Sequence, residues 1–155
     1  MTRDRHDRVA WLVRLAALVY ATLLIALTFL PLGEYPYPPH NPYPFATIGQ
    51  LFGSDGLNQS VLYLIIGNVA AFVPVGVLAP LLAPRYRSWP FALAVGLVVS
   101  VAIELGQLGL SLWVGYTYRR SDVDDVILNV AGALLGYVLW KLAQRRDGRL
   151  RGPAA

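Results

Sequence analysis

Two arginines and three aspartates lie together in "RRSDVDD", residues 119–125, directly before a long apolar run. If the run is helical, the angle of about 100° per residue places Asp122, Asp125 and Asn129 on one face, whereas Asp124 lies off that face near the helix start. Carboxylates beside guanidinium groups can hold an anionic headgroup, bind an oxygen-preferring metal ion or transfer a proton. This stretch is therefore the first candidate for a functional site.

A second polar group lies inside the preceding apolar run. Ser100, Glu104, Gln107 and Ser111 recur at spacings of four, three and four, which predicts a common helix face. A carboxylate at such a position is unfavourable unless it is protonated, paired or hydrated. Glu104 is therefore a candidate functional residue, and Glu104 and Asp125 are the candidate proton-transfer residues.

The elements that must position these side chains are membrane helices. The chain has 155 residues, of which 56% are hydrophobic and 14% charged, and its mean hydropathy is +0.51. Soluble domains carry about a quarter charged residues. Four apolar runs are long enough to span a hydrocarbon core of about 30 Å, at residues 10–32, 61–82, 89–113 and 123–142. We expect an all-α bundle of four transmembrane helices, forming one domain over residues 1–155 of a multi-pass cell-membrane protein.

The polar residues of three predicted helices converge at one depth. Measured from the start of its helix, Glu104 is about 22 Å along at 1.5 Å per residue, and Asn68 is about 10 Å from the start of the helix that descends from residue 61. With both depths in the outer half of the bilayer, we expect one ligand-binding site, formed by Asn68, Glu104, Gln107, Arg119, Asp122, Asp124, Asp125 and Asn129.

The distribution of basic residues predicts the orientation. They concentrate in the N-terminal tail, the link between helices two and three, and the C-terminal tail, which fall on one side of a four-span topology. The positive-inside rule assigns that side, and hence both termini, to the cytoplasm. These residues are Arg3, Arg5, Arg8, Arg14, Arg85, Arg87, Lys141, Arg145, Arg146, Arg149 and Arg151.

Arg119 and Arg120 depart from this rule, since the same topology places them outside. Three aspartates within five residues predict an ion-paired cluster that compensates them. The alternative for Asp122 or Asp124 is a plain helix N-cap, where the positive end of the helix dipole favours a carboxylate.

The predicted outer loop, residues 33–60, contains no lysine or arginine and includes "EYPYPPHNPYPF". Proline disfavours a helix interior, and tyrosine favours the membrane–water boundary. We expect a stiff, extended strap at the outer interface, with a lid or wall over a site as the alternative. His40 is expected to be a surface residue.

Three motifs in order give the chain a resemblance to the VanZ-like family of small bacterial membrane proteins. Asn68, Phe72, Pro74 and Gly76 match Asn–x3–Phe–x–Pro–x–Gly, and Glu104 and Gln107 match Glu–x2–Gln. The third motif, Arg–x2–Asp–x–Asp–Asp–x3–Asn–x2–Gly, is matched by Arg119, Asp122, Asp124, Asp125, Asn129 and Gly132. The resemblance implies a role in the cell envelope, since the family's named member is associated with low-level resistance to the lipoglycopeptide teicoplanin.

Several functions are compatible with these residues. The first is binding, with or without modification, of an envelope amphiphile: a lipid headgroup, a lipid-linked cell-wall precursor or a lipoglycopeptide. The others are a structural scaffold in which the polar cluster only holds the helices together, a metal-dependent membrane-surface enzyme, and transport. The sequence indicates no particular cofactor, and the spacing of the aspartates matches no metal motif. The expected partner is a membrane lipid or lipid-linked cell-wall component; an oligomer is compatible, and nucleic acid is not expected.

Overall fold

A computed structural model describes residues 2–30, 38–53 and 56–150. Within them the chain forms four long helices: α1 (Thr2–Phe29), α2 (Gln59–Leu82), α3 (Trp89–Val114) and α4 (Val123–Leu150). Each contains a segment that is long and apolar enough to cross a membrane. The short elements are the strands β1 (His40–Asn41), β2 (Phe52–Gly53), β3 (Gly56–Leu57) and β4 (Ser121–Asp122), and the 3₁₀ helices Ile48–Leu51 and Pro84–Tyr86. The predicted all-α architecture is confirmed in its four spanning-length helices.

The helix bounds differ from the prediction mainly at the two chain ends. The α1 helix begins at Thr2 instead of residue 10, and α4 continues to Leu150 instead of residue 142. The apolar run predicts only the part of a helix that suits lipid, whereas "AQRR" after it consists of good helix formers that extend the helix. The predicted end of the first helix at residue 32, loop residues 33–37 and Arg151 lie outside the described residues.

The α2 and α4 helices are in backbone contact. A Cβ atom added to Gly132 would lie 2.2 Å from the carbonyl oxygen of Val69, and one added to Gly136 would lie 2.0 Å from that of Val73. On the other side of the contact, a Cβ atom on Gly76 would lie 1.9 Å from the Ala133 oxygen. Small residues permit such close approach between membrane helices. The spacing of Gly132, Ala133 and Gly136 predicts that they continue the helix face of Asp125 and Asn129, and in the structure they lie against α2.

The α1 helix contacts the other helices mainly in its C-terminal part. Within its apolar segment, only 6% of an 18-residue window is buried inside the chain. Leu24 is the exception and joins a small core with Phe72, Ile103 and Ala133. The Tyr20 hydroxyl donates a hydrogen bond to the Ala71 carbonyl of α2. Most of the remaining α1 surface is exposed and apolar, as expected for a helix that faces lipid.

The loop between α1 and α2 folds back onto the start of α4. The β1 strand pairs in parallel with β4, so that His40 aligns with Ser121 and Asn41 with Asp122. A turn at residues 44–47 and the 3₁₀ helix Ile48–Leu51 follow, and then β2 pairs with β3. The expectation of an extended strap is therefore wrong for residues 38–53, which are compactly folded. His40 is exposed, as predicted.

Candidate functional site

Asp124 anchors the folded loop. Its side chain is fully buried and accepts hydrogen bonds from three backbone N–H groups, those of Phe45, Thr47 and Ile48, at 2.5, 2.8 and 3.0 Å. Phe45 has a φ of 64°, a left-handed conformation that is strained for a bulky residue. The three hydrogen bonds to the Asp124 carboxylate offset this strain, because they hold the amide groups of the turn in place. All its described partners are therefore in the loop.

Asp122 has two structural roles, since it binds the loop and caps the start of α4. Its carboxylate accepts the Thr47 hydroxyl at 2.6 Å and the Asn41 side-chain amide at 3.1 and 3.2 Å. It also accepts the backbone N–H of Asp124 at 3.0 Å, which is the hydrogen bond of a helix N-cap. The N-cap alternative therefore holds for Asp122, and the same carboxylate also binds the loop. Through its own N–H, Asp122 donates to Glu104 Oε2 at 2.7 Å.

The expected ion-paired cluster is wrong. Among the described residues, the arginines at 119 and 120 form no ion pair with the neighbouring aspartates, and Arg120 is exposed. Arg119 Nη2 instead donates to the Leu27 carbonyl oxygen of α1 at 2.8 Å. The physical reason is competition: the loop amides and Asn41 take the Asp122 and Asp124 carboxylates, and the free carbonyl groups at the end of α1 take the guanidinium.

Three successive carbonyl groups at the end of α1 receive side chains from the rest of the bundle. Leu27 accepts from Arg119, Thr28 accepts from Gln107 Nε2 at 3.0 Å, and Phe29 accepts from the Tyr118 hydroxyl. The last carbonyls of a helix have no partner within it and carry a partial negative charge. These bonds fix the end of α1 beside α3 and the link that follows α3.

A polar cavity of about 220 Å³ lies beneath this junction. Asp125 and Asn68 form one side of it, where Asn68 Nδ2 donates to Asp125 Oδ1 at 2.7 Å. The apolar floor includes Leu24, Phe72 and Ile103. Six of the eight predicted site residues line this one cavity: Asn68, Glu104, Gln107, Arg119, Asp125 and Asn129. The other two, Asp122 and Asp124, are absent from its lining and hold the loop.

Two lining side chains have polar atoms without a partner. Asn129 donates through Nδ2 to Ser100 Oγ at 2.9 Å, but its buried Oδ1 accepts no hydrogen bond. The buried Nε of Arg119 likewise donates to no atom. Among the described residues, the third such atom is Nε1 of Trp140, which belongs to the part of α4 far from the cavity. A buried polar atom without a partner is unfavourable by about 1–3 kcal/mol, so two at one cavity indicate a missing polar partner.

A second depression, of about 280 Å³, lies on the other side of Glu104. Loop residues His40, Asn41 and Pro42 form its wall together with the facing sides of α3 and α4. Residues 40–42 therefore form a wall of this depression, while the expectation of a wall or lid over a functional site stays a prediction. Sequence reasoning missed Asn41, Thr47 and Tyr118, because none belongs to a helical pattern; the polar "HN" between prolines was the available signal.

The described residues contain no group of three or more histidine, aspartate or glutamate side chains arranged to hold a metal ion. The polar groups that line the cavity are instead two carboxylates, three amides and one guanidinium. Such a mixed set of donors and acceptors suits a polar organic group that both gives and receives hydrogen bonds.

Comparison with protein families gives a match that covers most of the chain. The family model described as VanZ/LLP1 matches residues 17–144. The chain belongs to the VanZ-like family. A comparison with curated proteins and with solved structures gave no match.

The VanZ-like motifs separate into three structural groups. The first lines the cavity, and comprises Asn68, Glu104, Gln107, Arg119, Asp125 and Asn129. The second, Asp122 and Asp124, holds the loop. In the third, Phe72 is 1% exposed in the core and also borders the cavity, and Gly76 and Gly132 form the contact between α2 and α4. The motifs therefore describe a cavity together with the helix contact and loop that frame it.

Proposed function

We propose that the polar cavity binds the headgroup of a cell-envelope amphiphile at the outer leaflet of the membrane. The observation that carries this proposal is a single cavity lined by two carboxylates, three amide side chains and one guanidinium group. A headgroup that both donates and accepts hydrogen bonds matches this lining. Lipid headgroups, lipid-linked cell-wall precursors and lipoglycopeptides have this chemistry.

The outward orientation rests on the distribution of charge. The cavity lies at the end of the bundle where α1 and α3 end and where α4 begins. The opposite end carries Arg85, Arg87, Lys141, Arg145 and Arg146. Basic residues favour the cytoplasmic side, so the cavity would face outward.

Arg119 is the cationic group of the cavity lining. One N–H of its Nη2 donates to the Leu27 carbonyl, which leaves the other guanidinium N–H groups for the ligand. A charge-assisted hydrogen bond from one of them to a phosphate or carboxylate oxygen fits this arrangement. If the bound amphiphile reacts, Glu104 and Asp125 are the cavity groups able to transfer a proton.

The test is to identify the lipids and glycolipids that copurify with the protein. We expect wild type to retain one class of amphiphile, and Asp125→Asn to retain about tenfold less or lower, since a buried polar group left without its hydrogen-bond partner is unfavourable by about 1–3 kcal/mol. Mass spectrometry measures the retained molecules. Asp7→Asn, an exposed aspartate near the start of α1, is the matched control and should retain the wild-type amount.

Equal retention by wild type and Asp125→Asn would sink the proposal and favour the structural alternative, in which the polar cluster only holds the helices together. Addition of teicoplanin to both proteins tests the lipoglycopeptide class, and with it a link to glycopeptide resistance. Binding by wild type that is weakened in Asp125→Asn would assign the cavity to that class.

A further inference from the structure

An apolar groove lies between α1 and α3, directly beside the polar cavity. Its volume is about 370 Å³. Its walls include Ala21, Leu24 and Phe29 from α1, and Val98, Ala102 and Ile103 from α3. Ala21, Val98 and Ala102 are exposed, so the groove opens on the outer surface of the bundle, where lipid surrounds a membrane protein.

The groove and the polar cavity share a wall. Leu24 and Ile103 line both of them, and these two side chains are 7% and 8% exposed. These two shared side chains separate the groove from the cavity. A molecule in the groove would therefore lie within one side chain's thickness of a molecule in the cavity.

The two spaces are ordered along the helix axes as the two parts of a lipid are ordered in a bilayer. Along α3, Val98 precedes Glu104 of the cavity by six residues, or about 9 Å. Along α1, Ala21 precedes Thr28 of the cavity by seven residues, or about 10 Å. The groove thus extends from the level of the cavity toward the middle of the helices.

Phe29 closes the groove at the cavity end. A Cβ atom added to Gly106 would lie 2.9 Å from Cζ of the Phe29 ring, so the ring rests directly on the α3 backbone. The groove is therefore bounded at the level of the headgroup by this ring, and its other lining residues lie nearer the middle of the helices. A linear alkyl chain attached to a headgroup in the cavity fits this shape.

We infer that the groove between α1 and α3 holds the alkyl chain of the same amphiphile whose headgroup occupies the polar cavity. This inference rests on the proposed function. The ligand is then an intact lipid that enters sideways from the membrane between α1 and α3, with Leu24 and Ile103 at the junction of its headgroup and its chain. A water-soluble headgroup fragment would bind much more weakly than the intact lipid.

The experiment fills the groove and measures the lipid retained. Protein is released from nanodiscs that contain equal amounts of phosphatidylglycerol and phosphatidylethanolamine, and native mass spectrometry measures the lipid that resists removal. Ala102→Trp fills the groove. Its matched control is Ala94→Trp, which adds the same bulk at an exposed position of α3 outside the groove lining. Ala21→Trp fills the groove from α1 and replaces Ala102→Trp if that variant does not fold.

We expect Ala102→Trp to retain about tenfold less lipid than Ala94→Trp, because loss of the burial of only two methylene groups has an effect of this size. Equal retention by these two variants would overturn the inference. Asp125→Asn separates it from the proposed function. Loss of lipid in both Ala102→Trp and Asp125→Asn supports one amphiphile that fills both spaces.

Loss in Ala102→Trp alone would support a lipid chain in the groove and contradict a headgroup in the cavity. Loss in Asp125→Asn alone would support the headgroup and overturn the groove. The failure of one proposal is thus distinguishable from the failure of the other.

Discussion

Three aspartates within four residues have different partners in this protein. Asp122 and Asp124 bind the loop that precedes α2, whereas Asp125 binds Asn68 at the cavity. Removal of charge at Asp124 and at Asp125 should therefore have different consequences, although the two residues are neighbours on α4.

For Asp124→Asn we expect a loss of stability of about 1–3 kcal/mol, since buried backbone N–H groups lose an ionised acceptor. The amide retains only one acceptor oxygen for the N–H groups of Phe45, Thr47 and Ile48. Thermal unfolding in detergent measures the stability, and limited proteolysis reports cleavage at residues 43–48. Asp125→Asn is the matched control and should leave that loop resistant. A loop cleaved equally in both variants would contradict the separate role of Asp124.

The helices of this bundle contribute unequally to its packing. The α2 and α4 helices meet through glycine and form a closely packed pair, with Gly132 and Gly136 on one side and Gly76 on the other. The α1 helix is attached mainly through its final carbonyl groups and Tyr20, and leaves the open groove against α3. A closely packed pair beside a less buried helix is compatible with the proposed entry of a lipid between α1 and α3.

For Gly132→Ala we expect destabilisation of about 1–3 kcal/mol, the usual effect of overpacking a core. The new Cβ atom would lie 2.2 Å from the Val69 oxygen, so α2 and α4 must separate. Unfolding in increasing concentrations of SDS measures the change. Gly109→Ala is the control on α3, because no atom lies within 4 Å of its added Cβ, and it should be neutral or stabilising by up to about 1 kcal/mol. Equal midpoints for the two variants would show that the α2–α4 contact relaxes freely.

The whole molecule is polarised between its two ends. The polar cavity and the folded loop lie at one end, and the link between α2 and α3 lies at the other, where the Tyr137 hydroxyl of α4 donates to the Arg87 carbonyl. The basic residues concentrate at this second end. With four membrane-spanning helices, this distribution predicts that the second end and both chain termini face the cytoplasm.

Two single-cysteine variants test this orientation, because the sequence contains no cysteine. Gln50→Cys lies in the loop and Gln144→Cys lies near the end of α4, and both positions are exposed. A maleimide that does not cross membranes should label Gln50→Cys in intact cells, and should label Gln144→Cys only after permeabilisation. The reverse pattern would place the cavity on the cytoplasmic side and remove the outer leaflet from the proposed function.

The sequence by itself determined the features that depend on local periodicity. The four spans follow from apolar runs of sufficient length, and the small face of α4 follows from the spacing of Gly132, Ala133 and Gly136. The gathering of Asn68, Glu104 and Asp125 around one cavity followed from depth along the helices, because the rise of a helix is constant.

Only the tertiary structure decided which side chain meets which. The loop partners of the Asp122 and Asp124 carboxylates lie 75 to 81 residues earlier in the chain, and Arg119 binds a carbonyl group 92 residues away. The sequence favoured pairing between the nearest opposite charges. In the folded chain, the free amides of the loop bind the aspartates, and the carbonyls at the end of α1 bind Arg119. A buried backbone group without a hydrogen bond is unfavourable, whereas a surface ion pair contributes little to stability. The polar site therefore consists of a bound loop, an anchored helix end and a cavity that retains two unpartnered atoms.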